Sequence, residues 1–269
     1  MGTVLRALRL NRVPIFQQLC IEEALFYKTD QNWLLYNEGS QNGPPTIVLG
    51  ISGKPKKMCN LELVHRDEVP LVKRFSGGGT VVVDHNTVFS TLIMNQDEVK
   101  ECKPYPRDIM EWSKTIYGPA FKSLAPRPGT ELGLRENDYV FGDLKFGGNA
   151  QAITRGRWLH HTSFLWGFDA TNMLYLQLPE KRPVYRGDRD HNAFLTPLKN
   201  HLRSKDDVWP AFKSAAERRF QVEEVAIEEV MSLMEGAEGV GSWMEQCRTK
   251  FVGLDGKPLP PPDGGHGTL

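Results

Sequence analysis

The spacing of hydrophobic and polar positions changes several times along the chain, and each change marks an expected element. Residues 3–10 suit an edge strand, and Pro14 breaks the run. Over residues 15–26 the apolar side chains fall at Ile15, Phe16, Leu19, Ile21, Leu25 and Phe26 with polar ones between, which predicts an amphipathic helix. Residues 33–36 and 46–50 read as two strands joined across Gly43-Pro44-Pro45. Residues 52–68 carry Lys54, Lys56 and Lys57 near Gly53, then a short helix. A strand at 69–72 feeds a glycine-rich turn, a β-branched strand at 80–83 leaves it, and another strand covers 89–94. Residues 108–121 form a helical pattern with Ile109, Trp112, Ile116 and Ala120 on one side, closed by Pro126, Pro128 and Gly129. A hairpin over 134–152 turns at Gly142-Asp143, and a further turn and strand follow at 155–166. Helices are expected at 208–220 and 225–234, and the proline- and glycine-rich end has the composition of a disordered tail.

The glycine-rich turn is the stretch Lys73-Arg74-Phe75-Ser76-Gly77-Gly78-Gly79-Thr80-Val81-Val82-Val83-Asp84. Giving up three successive side chains raises the entropy cost of folding there, so close approach of a ligand to the backbone is the expected reason. Successive N–H groups in such a turn form a concave anion site, and Lys73 with Arg74 adds positive charge for a phosphate or carboxylate. The competing reading is a glycine-rich hairpin with a solvated basic edge. The turn joins two β segments and opens no helix, which argues against P-loop and dinucleotide-fold sites.

A second cluster, Gly147-Gly148-Asn149, follows Lys145 by two residues and echoes the first. Two such turns can close on an extended ligand bearing an anion, and a mobile lysine can follow a carboxylate oxygen as it becomes a mixed anhydride. A solvated hairpin charge is the alternative for Lys145. Adjacent strand residues point to opposite faces, so His160-His161 is not expected to bind one metal; one imidazole faces the pocket and the other bonds locally. Glu136-Asn137-Asp138 offers oxygens for a magnesium ion at a nucleotide-phosphate site, or is a polar turn entering a strand. Cys102 has charged neighbours but no histidine near it in sequence, which leaves a thiolate nucleophile weakly supported.

Composition narrows the class. The 269 residues suffice for one large domain with its own core. Thirty-three basic and thirty-three acidic residues cancel, which disfavours a partner such as nucleic acid or a membrane surface. Cys20, Cys59, Cys102 and Cys247 show no CxxC or zinc spacing and read as ordinary thiols in a reducing compartment. There is no apolar run of about 18 residues to span a membrane. The first residues, with Arg6, Arg9 and Arg12 and no acid before Glu22, have some transit-peptide character but also alternate like a first strand, and the strand reading is preferred.

Together the motifs resemble the lipoate-protein ligase A branch of the biotin/lipoate A/B protein ligase family. Arg74-Phe75-Ser76-Gly77-Gly78-Gly79-Thr80-Val81, with Asp84 after it, is similar to the family's Arg-x-Ser-Gly-Gly-Gly-Ala/Thr-Val…Asp signature. Asn137-Asp138 and Lys145-Phe146-Gly147-Gly148-Asn149-Ala150 resemble its Asn-Asp and Lys-φ-Ser/Gly-Gly-Ser/Asn-Ala elements. His160-His161-Thr162 resembles its His-His-Gly-Thr strand. The resemblance implies a catalytic domain that activates lipoate or octanoate with ATP to an acyl-adenylate. The acyl group then passes to one lysine of a lipoyl domain, in 2-oxoacid dehydrogenase acyltransferase subunits or the glycine cleavage H protein. It assigns Lys145 to catalysis and places the acyl group and adenylate among Arg74, Ser76, Gly77, Gly78, Gly79, Thr80, Val81, Val83 and Asp84, with Gly147, Gly148, Asn149, Ala150, His160, His161 and Thr162. Asn137 and Asp138 are implied near the nucleotide and Mg2+. The implied compartment is the mitochondrion, with the cytoplasm as alternative.

Three departures qualify that pattern. Val83-Asp84 stands where the family commonly has His-Asp, and Asn86-Thr87 replaces its Gly-Asn. After Phe220 about fifty residues remain, fewer than the accessory domain of bacterial full-length ligases needs. Transfer from a preformed acyl-AMP or an acyl carrier protein is therefore an alternative, and a non-catalytic adaptor for lipoyl domains a second. No cysteine lies between Leu124 and Gly148, which favours a lysine-centred mechanism over a thioester one. The expected organisation is one α/β (α+β) domain at 1–252, with mixed, largely antiparallel sheets flanked by helices, and a disordered tail at 253–269.

Overall fold

The computed structural model describes residues 2–40, 43–125, 131–177, 183–235 and 246–261. The chain begins with β1 (Val4–Arg9), α1 (Ile15–Lys28), β2 (Trp33–Glu38), β3 (Thr46–Leu49), α2 (Pro55–Met58), α3 (Leu61–Arg66), β4 (Leu71–Lys73), β5 (Gly77–Gly78), β6 (Val81–Val83) and β7 (Thr87–Asn95). It continues with α4 (Pro106–Leu124), β8 (Leu132–Arg135), β9 (Asp138–Phe141), β10 (Leu144–Thr154), β11 (Arg157–Leu165), α5 (His191–Phe194) and α6 (Val208–Glu217). It closes with β12 (Gln221–Val225), α7 (Ile227–Glu235), β13 (Lys250–Val252) and β14 (Pro258–Leu259).

Among the described residues the strands form two sheets. The larger runs β12-β1-β2-β7-β11-β10-β9-β8, with β5 paired to β10. Its β1 is parallel to both β2 and β12, and its other pairings are antiparallel. The smaller runs β14-β13-β4-β3-β6, with one parallel pair, β3 and β4. This is the mixed, largely antiparallel α/β arrangement that the pattern implied.

Alternation along the strands sets the layers. Leu5, Ala7, Leu34 and Tyr36 face α4 and α6, whose Ile116, Tyr117, Phe121 and Phe212 complete that core. Leu8, Trp33 and Leu35 point the other way, onto α1, α7 and residues of the smaller sheet such as Val48 and Val83.

Several expectations change. The β1 strand is not an edge, because the unanticipated β12 covers it. The strands at 33–36 and 46–50 do not pair with each other; β2 lies between β1 and β7, and β3 belongs to the other sheet. The residues expected as a tail from 253 instead include β14, which pairs with β13, and β13 pairs with β4; residues 262–269 lie outside the described residues, as do Pro126, Pro128 and Gly129.

The first helix is not amphipathic. Residues 15–26 are buried on every side, including Gln18, Glu22 and Glu23. Buried polar groups persist only when hydrogen-bonded, and these are. Gln18 donates to Glu22 at 2.7 Å, and Glu23 accepts from the backbone N–H groups of Arg248 and Thr249 at 2.7 and 3.0 Å. Thr249 Oγ1 also donates to Glu23 at 2.9 Å and accepts from the backbone N–H of Phe75, which ties the C-terminal segment to the glycine turn.

Candidate active site

The two sheets enclose a cavity of about 950 Å³. Val48, Val81, Val82 and Val83 line it from the smaller sheet, while Lys145, Gly148, Ala150, His161 and Ser163 line it from the larger. Residues 77–79 run between them.

The glycine turn is a strand in its own right. Gly77 and Gly78 pair with Gln151 and Ala150, so β5 extends the edge of β10 beyond the end of β9. Gly78 has φ of +131°, and an added Cβ would lie 2.6 Å from Arg74 Nη2 and 2.8 Å from the carbonyl oxygen of Asn149. Only glycine permits both the dihedral and the contact. Arg74 is 3% exposed, and its Nη2 donates to the carbonyl of Gly79 at 2.8 Å and that of Gly77 at 3.5 Å. Burial draws its pKa down to about 10, with the Glu22 carboxylate opposing that fall. The guanidinium therefore braces the loop from inside and keeps its charge beside the cavity.

Lys145 stands on β10 just before a register irregularity between Lys145 and Gly147. Phe146 is buried against Phe141, with ring centroids 4.1 Å apart, and this stacking pins the strand. The Lys145 ammonium lies 2.6 Å from Asp138 Oδ1 and retains 26% side-chain exposure toward the cavity. The other Asp138 oxygen accepts from the Tyr185 hydroxyl at 2.9 Å. Asn137 also lines the cavity, and its carbonyl accepts from Asn149 Nδ2 at 2.7 Å.

The histidine doublet splits. His161 lines the cavity, and its Nδ1 lies 2.9 Å from Glu22 Oε2. Glu22 is fully buried and also accepts from Thr91 Oγ1 at 2.8 Å. His160 faces the opposite core. Its Nδ1 is 3.0 Å from Gln151 Nε2 and its Nε2 is 2.8 Å from the Tyr139 hydroxyl, which lies 2.6 Å from Ser113 Oγ. Because the Gln151 amide nitrogen can only donate, Nδ1 accepts and Nε2 carries the proton. The chain then runs one way, from Nε2–H to Tyr139, to Ser113, and to the carbonyl of Met110. Burial, with His161 adding to it, pushes the His160 pKa down to about 3.

Of the residues singled out in the sequence, Arg74, Gly77, Gly78, Gly79, Thr80, Val81, Val83, Asn137, Asp138, Lys145, Gly148, Asn149, Ala150 and His161 line this cavity. Ser76, Asp84, Gly147, His160 and Thr162 do not. Ser76 is buried behind the loop. Asp84 shapes the turn into β7 and accepts from Asn172 Nδ2. Gly147 makes room for the Phe164 ring, 2.9 Å from where a Cβ would sit. Thr162 shares the inward face of β11 with His160. Cysteines contribute nothing to the lining: all four are buried free thiols elsewhere.

Residues 183–195 carry no sequence motif, yet Pro183, Arg186, His191, Phe194 and Leu195 line the cavity. Residues 186–190, Arg-Gly-Asp-Arg-Asp, have no periodicity, and charge density was the one signal available. Glu22 was missed because it sits in a helix whose polar residues were expected to face water.

Mg2+ was expected near Asn137 and Asp138. Both Asp138 oxygens are already engaged by Lys145 and Tyr185, and among the described residues no group of three His, Cys, Asp or Glu side chains could hold a metal ion. These residues do not make a magnesium cage.

The cavity is lined by valine side chains, glycine backbone and the Lys145 ammonium. A family model for the lipoyl protein ligase A/B catalytic domain matches residues 14–221, and the chain belongs to that family. It is 28% identical to an inactive lipoate-protein ligase 2 of Plasmodium falciparum, over 76% of this chain and 65% of that protein. It is 31% identical to human mitochondrial lipoyl amidotransferase, over 60% of this chain and 40% of that one. The chain thus spans between 40% and 65% of these two relatives' lengths. Its fold matches that of a lipoate-protein ligase A solved with bound ATP, with TM-score 0.67 at 16% identity, covering 87% of this chain and 93% of the other.

Proposed function

We propose that the chain attaches lipoate, or octanoate, to a lysine of a lipoyl domain through an acyl-adenylate made from ATP. One observation carries this reading: the Lys145 ammonium borders a cavity that Val81, Val83, Phe89 and the backbone of Gly77, Gly78, Gly79 and Gly148 also line. In the first half-reaction the acyl carboxylate attacks the α-phosphorus of ATP and pyrophosphate leaves. In the second the acceptor amine attacks the acyl carbon and AMP leaves. Lys145 supplies positive charge at the oxygens where negative charge builds in both steps, and the walls hold the reacting groups together away from water. ATP is supported by the ligand of the structural relative, and the lipoyl group by the family. Mg2+ belongs to the reading as the nucleotide's counter-ion, held by phosphates and water.

The acceptors are the lipoyl domains of 2-oxoacid dehydrogenase acyltransferase subunits and the glycine cleavage H protein. The compartment is the mitochondrion, a choice supported by the human relative's mitochondrial assignment. The human relative is named an amidotransferase and the Plasmodium one inactive, which supports keeping two alternatives: transfer from a preformed acyl-AMP or acyl carrier protein, and an adaptor that only binds lipoyl domains.

The test is the intact mass of an apo lipoyl domain after incubation with the protein, lipoate, ATP and Mg2+, beside a sample given lipoyl-AMP. Modification in both is expected, with Lys145→Ala losing it at least a hundredfold. Modification with lipoyl-AMP alone selects the transferase. No modification in either, with lipoyl-domain binding unchanged in Lys145→Ala, selects the adaptor.

A further inference from the structure

Asp138 and Lys145 meet in the cavity, and the carboxylate is held from two sides. Its Oδ1 takes the Lys145 ammonium at 2.6 Å and its Oδ2 takes the Tyr185 hydroxyl at 2.9 Å. A carboxylate bonded through one oxygen turns easily about its last torsion, and one bonded through both does not. The far end of Lys145 is therefore fixed by a residue 40 positions later in the chain.

Everything around Tyr185 points to a placed hydroxyl. Its backbone N–H donates to Glu136 Oε1 at 3.2 Å, and Glu136 itself adopts a φ of +49° that a non-glycine residue rarely takes. Its carbonyl accepts from Arg189 Nη2 at 2.5 Å. The ring packs against Phe194 at 5.3 Å, with the Arg135 guanidinium 5.9 Å from its centroid. Burial first, and then the Asp138 charge, push the hydroxyl well above its ordinary pKa, so it remains a donor throughout the working range. The same segment returns to the strand at Lys145 itself, where the Thr196 N–H donates to the Lys145 carbonyl at 2.8 Å. The lysine is gripped at its backbone and at its ammonium by opposite ends of one stretch of chain.

We propose that Tyr185 is a positioning residue for Lys145: its hydroxyl fixes the Asp138 carboxylate, and through it the place of the lysine ammonium. The hydroxyl also draws negative charge toward Oδ2, which loosens the grip of Oδ1 on the ammonium. The two remaining ammonium donors are then left for the oxygens of a bound ligand. The role assigned to the ammonium rests on the function proposed above, whereas the coupling of Tyr185 to Lys145 does not.

The test is Tyr185→Phe, which keeps the ring and the backbone bonds and removes one donor. The amine reactivity of Lys145 is read on the unliganded protein by competitive labelling with acetic anhydride and peptide mass spectrometry across pH. Without the tyrosine donor the carboxylate holds the ammonium more strongly, so its labelling at pH 8 falls about threefold to tenfold. In an Asp138→Asn background the same substitution is expected to change nothing further, because the carboxylate that carries the coupling is gone.

Unchanged labelling in Tyr185→Phe overturns the proposal. So does labelling that rises to the level of a surface lysine, since Tyr185 is then only a latch for its segment. In the acyl-transfer assay the variant is expected to lose about tenfold in kcat with KM for lipoate unchanged. If the wild type transfers nothing, the proposed function fails while the labelling result still decides the coupling.

Discussion

His160 and His161 occupy adjacent positions on one strand and meet opposite environments. Strand alternation made that split legible from the sequence. What it could not supply was the partner of each ring, because Glu22 lies 139 positions from His161 and sits in a helix that looked solvent-facing on one side. Lys145 was legible from its glycine neighbours, and Tyr185 was not, since no local pattern marks a tyrosine whose partner is 47 residues away. His160 carries a prediction. Its pKa is lowered to about 3 in the native protein against an ordinary value near 6.5. The unfolded chain thus binds a proton that the native one refuses, and stability falls as pH drops from about 6.5 toward 3. Between pH 7 and 5 this group removes about 2 kcal/mol. Urea unfolding of the wild type and His160→Gln at both values is expected to show the variant's pH dependence reduced by that amount; equal losses in the two proteins contradict it.

At the scale of elements, the glycine run was recognisable as a site for backbone approach, but its form was not. It is a two-residue strand on β10, and that pairing requires Gly78 in a conformation other residues avoid. Gly78→Ala combines a positive φ with contacts of 2.6 and 2.8 Å to Arg74 and Asn149, and is expected to destabilise by about 1–3 kcal/mol. Acyl transfer should fall with it. Gly79→Ala is the control, since nothing lies within 4 Å of its added Cβ, and it should unfold within about 0.5 kcal/mol of the wild type. Urea midpoints for the pair check the contrast, which fails if both substitutions are tolerated. The elements that escaped sequence reading share a cause. Residues 221–225 alternate weakly from the gap between two expected helices into the second, and β14 lies in a stretch of tail-like composition just after β13. Each becomes a strand only because an edge, β1, β4 or β13, is there to pair with it.

At the scale of the molecule, a mixed, largely antiparallel α/β fold was expected, while the division of its strands between two sheets was not. That division makes the cavity: β3 and β6 leave the larger sheet, and the space between receives valine side chains from one side and Lys145 from the other. The C-terminal segment closes the back of the glycine turn through Thr249 and Glu23, so residues far past the last motif support the loop. The central claim is that this one cavity forms an acyl-adenylate. Its most direct test is exchange of labelled pyrophosphate into ATP by the purified chain, with and without lipoate. The account predicts exchange that requires lipoate and disappears in Lys145→Ala. No exchange from a chain that still modifies a lipoyl domain when given lipoyl-AMP, or exchange undiminished in Lys145→Ala, would contradict it.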